Sequence, residues 1–251
     1  MARMEVLAML CTLAAGCGGM RRGMTGPPAP PASPGVSIVW MEPFDELNSS
    51  RWRNVEVRGN SQYRAVSLDG RSCLRAESHA TGSILLTTVR FEPKAYPWLM
   101  WQWRVDQLVQ GEALDQPKGS DAAARVYVYF ETQGLPWQKR NIDYVWSASL
   151  PVGTSLTSAY SPTSHIVVVE SGADHAGQWR DAERNLAEDY RESFHEEPPG
   201  VIAIGLMTDS DNTGSESLAY FDEVRIGKYP SRAGTAVEPA RAGAKPAAAS
   251  H

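Results

Sequence analysis

Long hydrophobic runs are missing from this sequence. In 251 residues no apolar stretch reaches the roughly 18 that a bilayer-spanning helix requires, which excludes a helical membrane span. A basic surplus is missing too. Lys and Arg number 24 against 29 Asp and Glu, a net charge of −5, which excludes binding to nucleic acid through phosphate contacts alone. Cysteine is scarce, at three residues (Cys11, Cys17 and Cys73). Catalytic signatures are equally thin. No Gly-x-Ser-x-Gly elbow occurs, and the five histidines never fall at a zinc spacing such as His-x-x-x-His. What is present is an apolar share of 42% with 21% charge, enough to build one substantial core.

The first 17 residues, MARMEVLAMLCTLAAGC, have the layout of a secretory signal: a short start, an apolar stretch from Val6 to Ala15, then small residues. Leu13-Ala14-Ala15-Gly16-Cys17 resembles the bacterial lipobox, with Ala14 where Leu is usual, so Cys17 is the expected lipidation site. By the same resemblance Gly18 implies the periplasmic face of the outer membrane, with lipid as the only membrane contact. Cleavage before Cys17 leaves Cys73 alone, so no internal disulfide is expected and Cys73 reads as a buried thiol. Residues 18–35 are a Gly, Pro and Ala spacer, and 229–251 have the same character, which places one folded domain at 36–228.

Within that domain, short Val-, Ile-, Tyr- and Trp-rich segments recur between turn signals. Strands are expected at 37–41, 52–57, 63–68, 72–78, 83–91, 98–106, 123–131, 143–149, 165–170, 201–208 and 218–226. Trp101, Trp103 and Val105 share one face of their strand, while Arg104 lies on the other; Val126, Val128 and Phe130 likewise oppose Arg125, Tyr127 and Tyr129. With no βαβ alternation, the class is all-β: an antiparallel sandwich of jelly-roll or concanavalin-like type. Trp179, Glu183, Leu186, Tyr190 and Phe194 fall at helical spacing, so one amphipathic helix is expected at 178–194, stopped by Pro198 and Pro199.

The blocks WMEPFDELNSSRWR, YPWLMWQWRVD, SDAAARVYVYF, DYVWSAS, HIVVVESG, RNLAEDY, IGLMTDSDNTG and AYFDEVRIG occur in order. That series resembles the bacterial domain of unknown function 3047, which brings no established activity with it. Phe44-Asp45 and the stretch Tyr220 to Ile226 also resemble the two ends of carbohydrate-binding jelly rolls. That likeness implies that the two ends are neighbours and that a structural calcium joins Glu42 or Asp45 to Asp222.

The densest oxygen cluster is the loop Thr208 to Gly214. Asp209, Asp211 and Asn212 could offer three side chains to calcium, a hard cation that takes six to eight oxygens; the alternative is a plain turn. Arg104, Arg125, Tyr127 and Tyr129, with Glu170, are the candidate ligand-binding residues of a polar sheet face. Aromatic planes stack on sugar faces while Arg and carboxylates bond hydroxyls. Against this stands a face whose arginines pair with Asp106, Asp121 or Glu131. No residue is assigned as catalytic. The leading reading is a non-catalytic envelope lipoprotein that binds a carbohydrate or other polar ligand. A glycan hydrolase or lyase using Asp209, Asp211 or Glu170, and a structural envelope protein, are the other two.

Overall fold

The computed structural model describes residues 37–133 and 139–231. The expected signal segment, spacer and most of the tail lie outside these residues, as does Cys17. Two stacked sheets account for the described strands. One runs β11 (Arg180–Asn185), β6 (Trp98–Gln107), β13 (Glu216–Gly227), β4 (Arg71–His79) and β3 (Gln62–Leu68), with β1 (Ile38–Glu42) also paired to β13. The other runs β2 (Trp52–Arg58), β5 (Gly82–Phe91), β12 (Val201–Asp209), β7 (Ala124–Phe130), β8 (Asn141–Ser147), β10 (Ser164–Ser171) and β9 (Ser155–Thr157).

The expected sandwich is therefore present, and each of the eleven expected strands is found within two residues of its bounds. All pairings are antiparallel except β8 with β10, which run parallel. Alternation explains the packing. Val126, Val128 and Phe130 of β7 and Trp101, Trp103 and Val105 of β6 face one another between the sheets, and all are buried. The indoles of Trp101 and Trp103 meet edge to face at 5.3 Å, and Trp103 packs on Trp146 of β8 at 5.8 Å. Cys73 is buried as a free thiol.

The helix expected at 178–194 needs correcting. Only α1 (Leu186–Phe194) is helical, and residues 180–185 form β11, an edge strand antiparallel to β6. The spacing of Trp179 and Glu183 matched a helix by coincidence. Only Ala182 of this stretch is buried, and β6 offers its edge to all six residues of it. The change of state falls at Asn185. Its side-chain oxygen accepts from the Ala187 and Glu188 amides, capping the helix it precedes.

Candidate functional site

The sheet that begins with β2 has a second, outward face. Along β7 this face carries Arg125, Tyr127 and Tyr129. Its neighbours in register are Val145, Asp143 and Asn141 on β8 and Met207, Gly205 and Ala203 on β12. The two tyrosine rings stack nearly parallel, with centroids 5.8 Å apart and 21° between planes. Tyr129 is buried, whereas Tyr127 keeps part of its surface exposed. Gly205 lets the face close up: a Cβ there would lie 2.7 Å from Ile84 Cγ2. Ile84, Leu86, Val55 and Met207 form a buried apolar cluster against which Tyr127 packs.

At the other side of the tyrosines the face turns ionic. Arg125 is 1% exposed. Its Nε donates to Asp209 Oδ1 at 2.8 Å, one terminal nitrogen donates to Asp143, and the other to the Ser120 carbonyl at 2.9 Å. Asp209 Oδ1 also accepts from the Ala122 amide at 3.0 Å. Burial works against the Arg125 charge, but Asp143 and Asp209 outweigh it and hold the guanidinium protonated well beyond its ordinary range. Burial pushes the Asp143 carboxyl up to about 6, in spite of the neighbouring Arg125. The Tyr127 hydroxyl is raised well above its usual value, chiefly by burial.

The loop after β12 closes the site. Asp121 accepts from the backbone amides of Asn212 (3.0 Å) and Thr213 (2.7 Å) and from Asn212 Nδ2 (2.6 Å). Ligand oxygens of Asp121, Asp209 and Asp211 lie within 4.8 Å of one another, and all three residues are buried. Gly82, opposite Asp209 in the ladder, makes room for this loop, because a Cβ there would come within 2.4 Å of Asp211 Oδ1.

The structure thus brings together Arg125, Tyr127, Tyr129, Asp209, Asp211 and Asn212. It separates the other two candidates. Arg104 sits on the opposite sheet, where Asp106 and Asp69 hold it. Glu170 is in register with the core residue Trp146, two strands from β7, and is bonded to Arg180 of the other sheet at 3.0 Å and to His175 at 3.3 Å. Burial would raise its carboxyl, but the Ser171 amide, His175 and Arg180 bring it below the usual range.

Two roles also change. Arg125 points three donors into the protein, so it positions the face rather than reaching outward. Asn212 turns its oxygen to the Tyr160 hydroxyl and its nitrogen to Asp121, so Asp121 replaces it beside Asp209 and Asp211. Three oxygen donors of like charge fit a hard divalent cation. The second calcium expectation fares differently. The ends are neighbours, since Glu42 pairs with Val224, but the Glu42 carboxylate accepts from Trp52 Nε1 and Asp222 is paired with Arg71.

Asp143 was not among the sequence candidates, and Asp121 entered only as a possible partner of the arginines. Asp143 carried a signal, being a carboxylate inside a strand whose every residue is buried, where charge needs a partner. Asp121 carried none, for nothing local ties it to a loop 90 residues away.

The sequence profile of the family described as Protein of unknown function (DUF3047) matches residues 50–225. The chain belongs to this family. No curated protein matches it. Among solved structures, the family 30 carbohydrate-binding module of a Clostridium thermocellum cellulosomal cellulase is similar at a TM-score of 0.44 and 10% identity. That match covers 75% of this chain and 97% of the module. The xyloglucanase domain of a Sinorhizobium fredii type three effector, in complex with cellobiose, gives 0.40 at 6% identity, over 74% and 99%. A xylan-binding domain from Paenibacillus barcinonensis gives 0.36 at 13% identity, over 78% and 97%.

Proposed function

We propose that this is a non-catalytic binding domain of the bacterial envelope that takes a carbohydrate on the outward face of the seven-stranded sheet. The observation that carries the reading is the part-exposed ring of Tyr127, stacked on the buried Tyr129 and packed between a buried aliphatic cluster and the Asp143 carboxylate and Asn141 amide of β8. A sugar has the same two-sided chemistry, with C–H faces that pack on rings and hydroxyls that seek polar partners. Beneath the rings, the Arg125 network fixes their strand against β8 and β12, which lowers the ordering cost of binding. The carboxylates of the rival catalytic reading favour binding over turnover. Asp209 is fully buried on Arg125, and Glu170 is held elsewhere by Arg180.

The proposal keeps calcium, held by Asp121, Asp209 and Asp211. These three carboxylates are buried and converge within 4.8 Å of one another, and a divalent cation offsets like charges brought that close. It also keeps a lipid on Cys17 as the tether, on the periplasmic face of the outer membrane.

The test is titration of the purified protein with a neutral glycan panel, with and without calcium. Tyr127→Ala at unchanged Tm should weaken binding at least about tenfold, roughly 1.4 kcal/mol. Calcium should raise Tm by linkage in the wild type and not in Asp211→Asn. Unchanged affinity in Tyr127→Ala, or no glycan bound at all, overturns the binding reading. No calcium-dependent shift overturns the cation.

A further inference from the structure

The six-stranded sheet has an outward face of its own, and its chemistry is unlike that of a plain solvated surface. Tyr220 of β13 lies in register between Arg104 of β6 and Arg75 of β4. The Trp179 ring stands 6.4 Å from the Tyr220 ring, at 58°. The Arg71 guanidinium lies 4.5 Å from the Trp179 centroid and pairs with Asp222, which pins the indole in place. One row further on, Asp181, Gln102 and Asp222 stand side by side, and Gln102 Nε2 donates to Asp181 at 2.6 Å. The next row, Glu183, Met100 and Arg225, opens on a cavity of about 360 Å³, which Asp181 and Ser231 also line.

Three polar atoms of these rows have no hydrogen-bond partner among the described residues: Trp179 Nε1, Gln102 Oε1 and Arg225 Nε. Each lost bond costs about 1–3 kcal/mol in a buried setting, so their clustering on one face calls for an explanation.

We propose that this face is a second binding groove, running from the Trp179–Tyr220 ring pair to the cavity beside Arg225, and that its occupant is a neutral, hydroxyl-rich oligosaccharide. Charge chooses the ligand class. Arg71 pairs with Asp222, Arg75 with Glu77, Arg104 with Asp106 and Arg225 with Glu223. These four guanidiniums are already paired, while Asp181 and Glu183 repel an anion at the cavity end. Alternating donors and acceptors suit hydroxyls, which serve as both. The rings supply the stacking surface, and the cavity takes a terminal unit. This groove is on the opposite sheet from the Tyr127 face, so it stands or falls separately from the first site.

The experiment is calorimetric titration of the whole protein with cellohexaose, xylohexaose and mannohexaose, with oligogalacturonate as the anionic control. Tryptophan fluorescence is read in parallel. For at least one neutral probe, Trp179→Ala and Gln102→Ala, each at wild-type Tm, should weaken binding about tenfold or more. The fluorescence change of the wild type should vanish in Trp179→Ala. Tyr127→Ala, on the other sheet, should leave this component unaltered. Should Trp179→Ala fail to fold, Gln102→Ala decides alone. Unchanged binding in these variants overturns the groove while leaving the Tyr127 site standing. Preference for oligogalacturonate overturns the ligand class.

Discussion

Arg125 shows how much one side chain can organise. Removing it strands Asp143 and Asp209 in a site with almost no solvent, and a buried charge without its counter-ion costs several kcal/mol. Asp143 makes the consequence measurable. Its proton leaves near pH 6 in the folded chain, against about 3.9 in an unfolded one. Between those values the folded state holds more proton than the unfolded state, so this group's contribution to stability falls as pH rises from about 4 to about 6, and stays low above. Melting curves across that window should therefore slope less steeply downward with pH in Asp143→Asn than in the wild type. Parallel slopes would contradict the assignment. That Arg125 lies on the outer face of its strand was readable from alternation on β7. Its role was not, because alternation names a face and says nothing of which carboxylates lie across it.

At the scale of elements, the junction of β11 and α1 is where an edge strand gives way to the helix. Residues 180–185 carry one buried residue, Ala182, and no alternation of their own, so local sequence does not mark them as a strand. The free edge of β6 settles the matter by offering backbone partners to six residues. Asn185 then starts the helix by accepting two of its orphan amides. Asn185→Ala should cost about 1 kcal/mol, a fall in Tm of roughly 2–4 °C in a domain of this size. Thermal melts monitored by circular dichroism check this, and Asn185→Asp should restore most of the loss. The Asn was visible in the sequence, but the sequence alone placed the helix start eight residues too early.

For the molecule as a whole, β13 is the strand on which the six-stranded sheet depends. It pairs with β6 along one side and with β4 and then β1 along the other, so the last described strand joins the first. Such non-local pairing makes β-sandwiches slow to fold, and here half of the sandwich cannot assemble until the end of the domain is available. A chain ending at Ser215 should show no cooperative melt and should be digested rapidly by protease. A cooperative transition in that fragment would contradict this account of the topology.

The sequence by itself determined eleven of the thirteen described strands, the sandwich class and, on β6 and β7, the sorting of residues into a core face and an outer face. Those follow from a period of two, which is a property of neighbours along the chain. The tertiary structure decided which outer faces share a sheet. It moved Arg104 away from Arg125, put Asp121 and Asp143 beside Asp209, and turned Asn212 toward Tyr160. Those outcomes depend on strand order and loop closure across some 20 to 90 residues, and no local pattern records them.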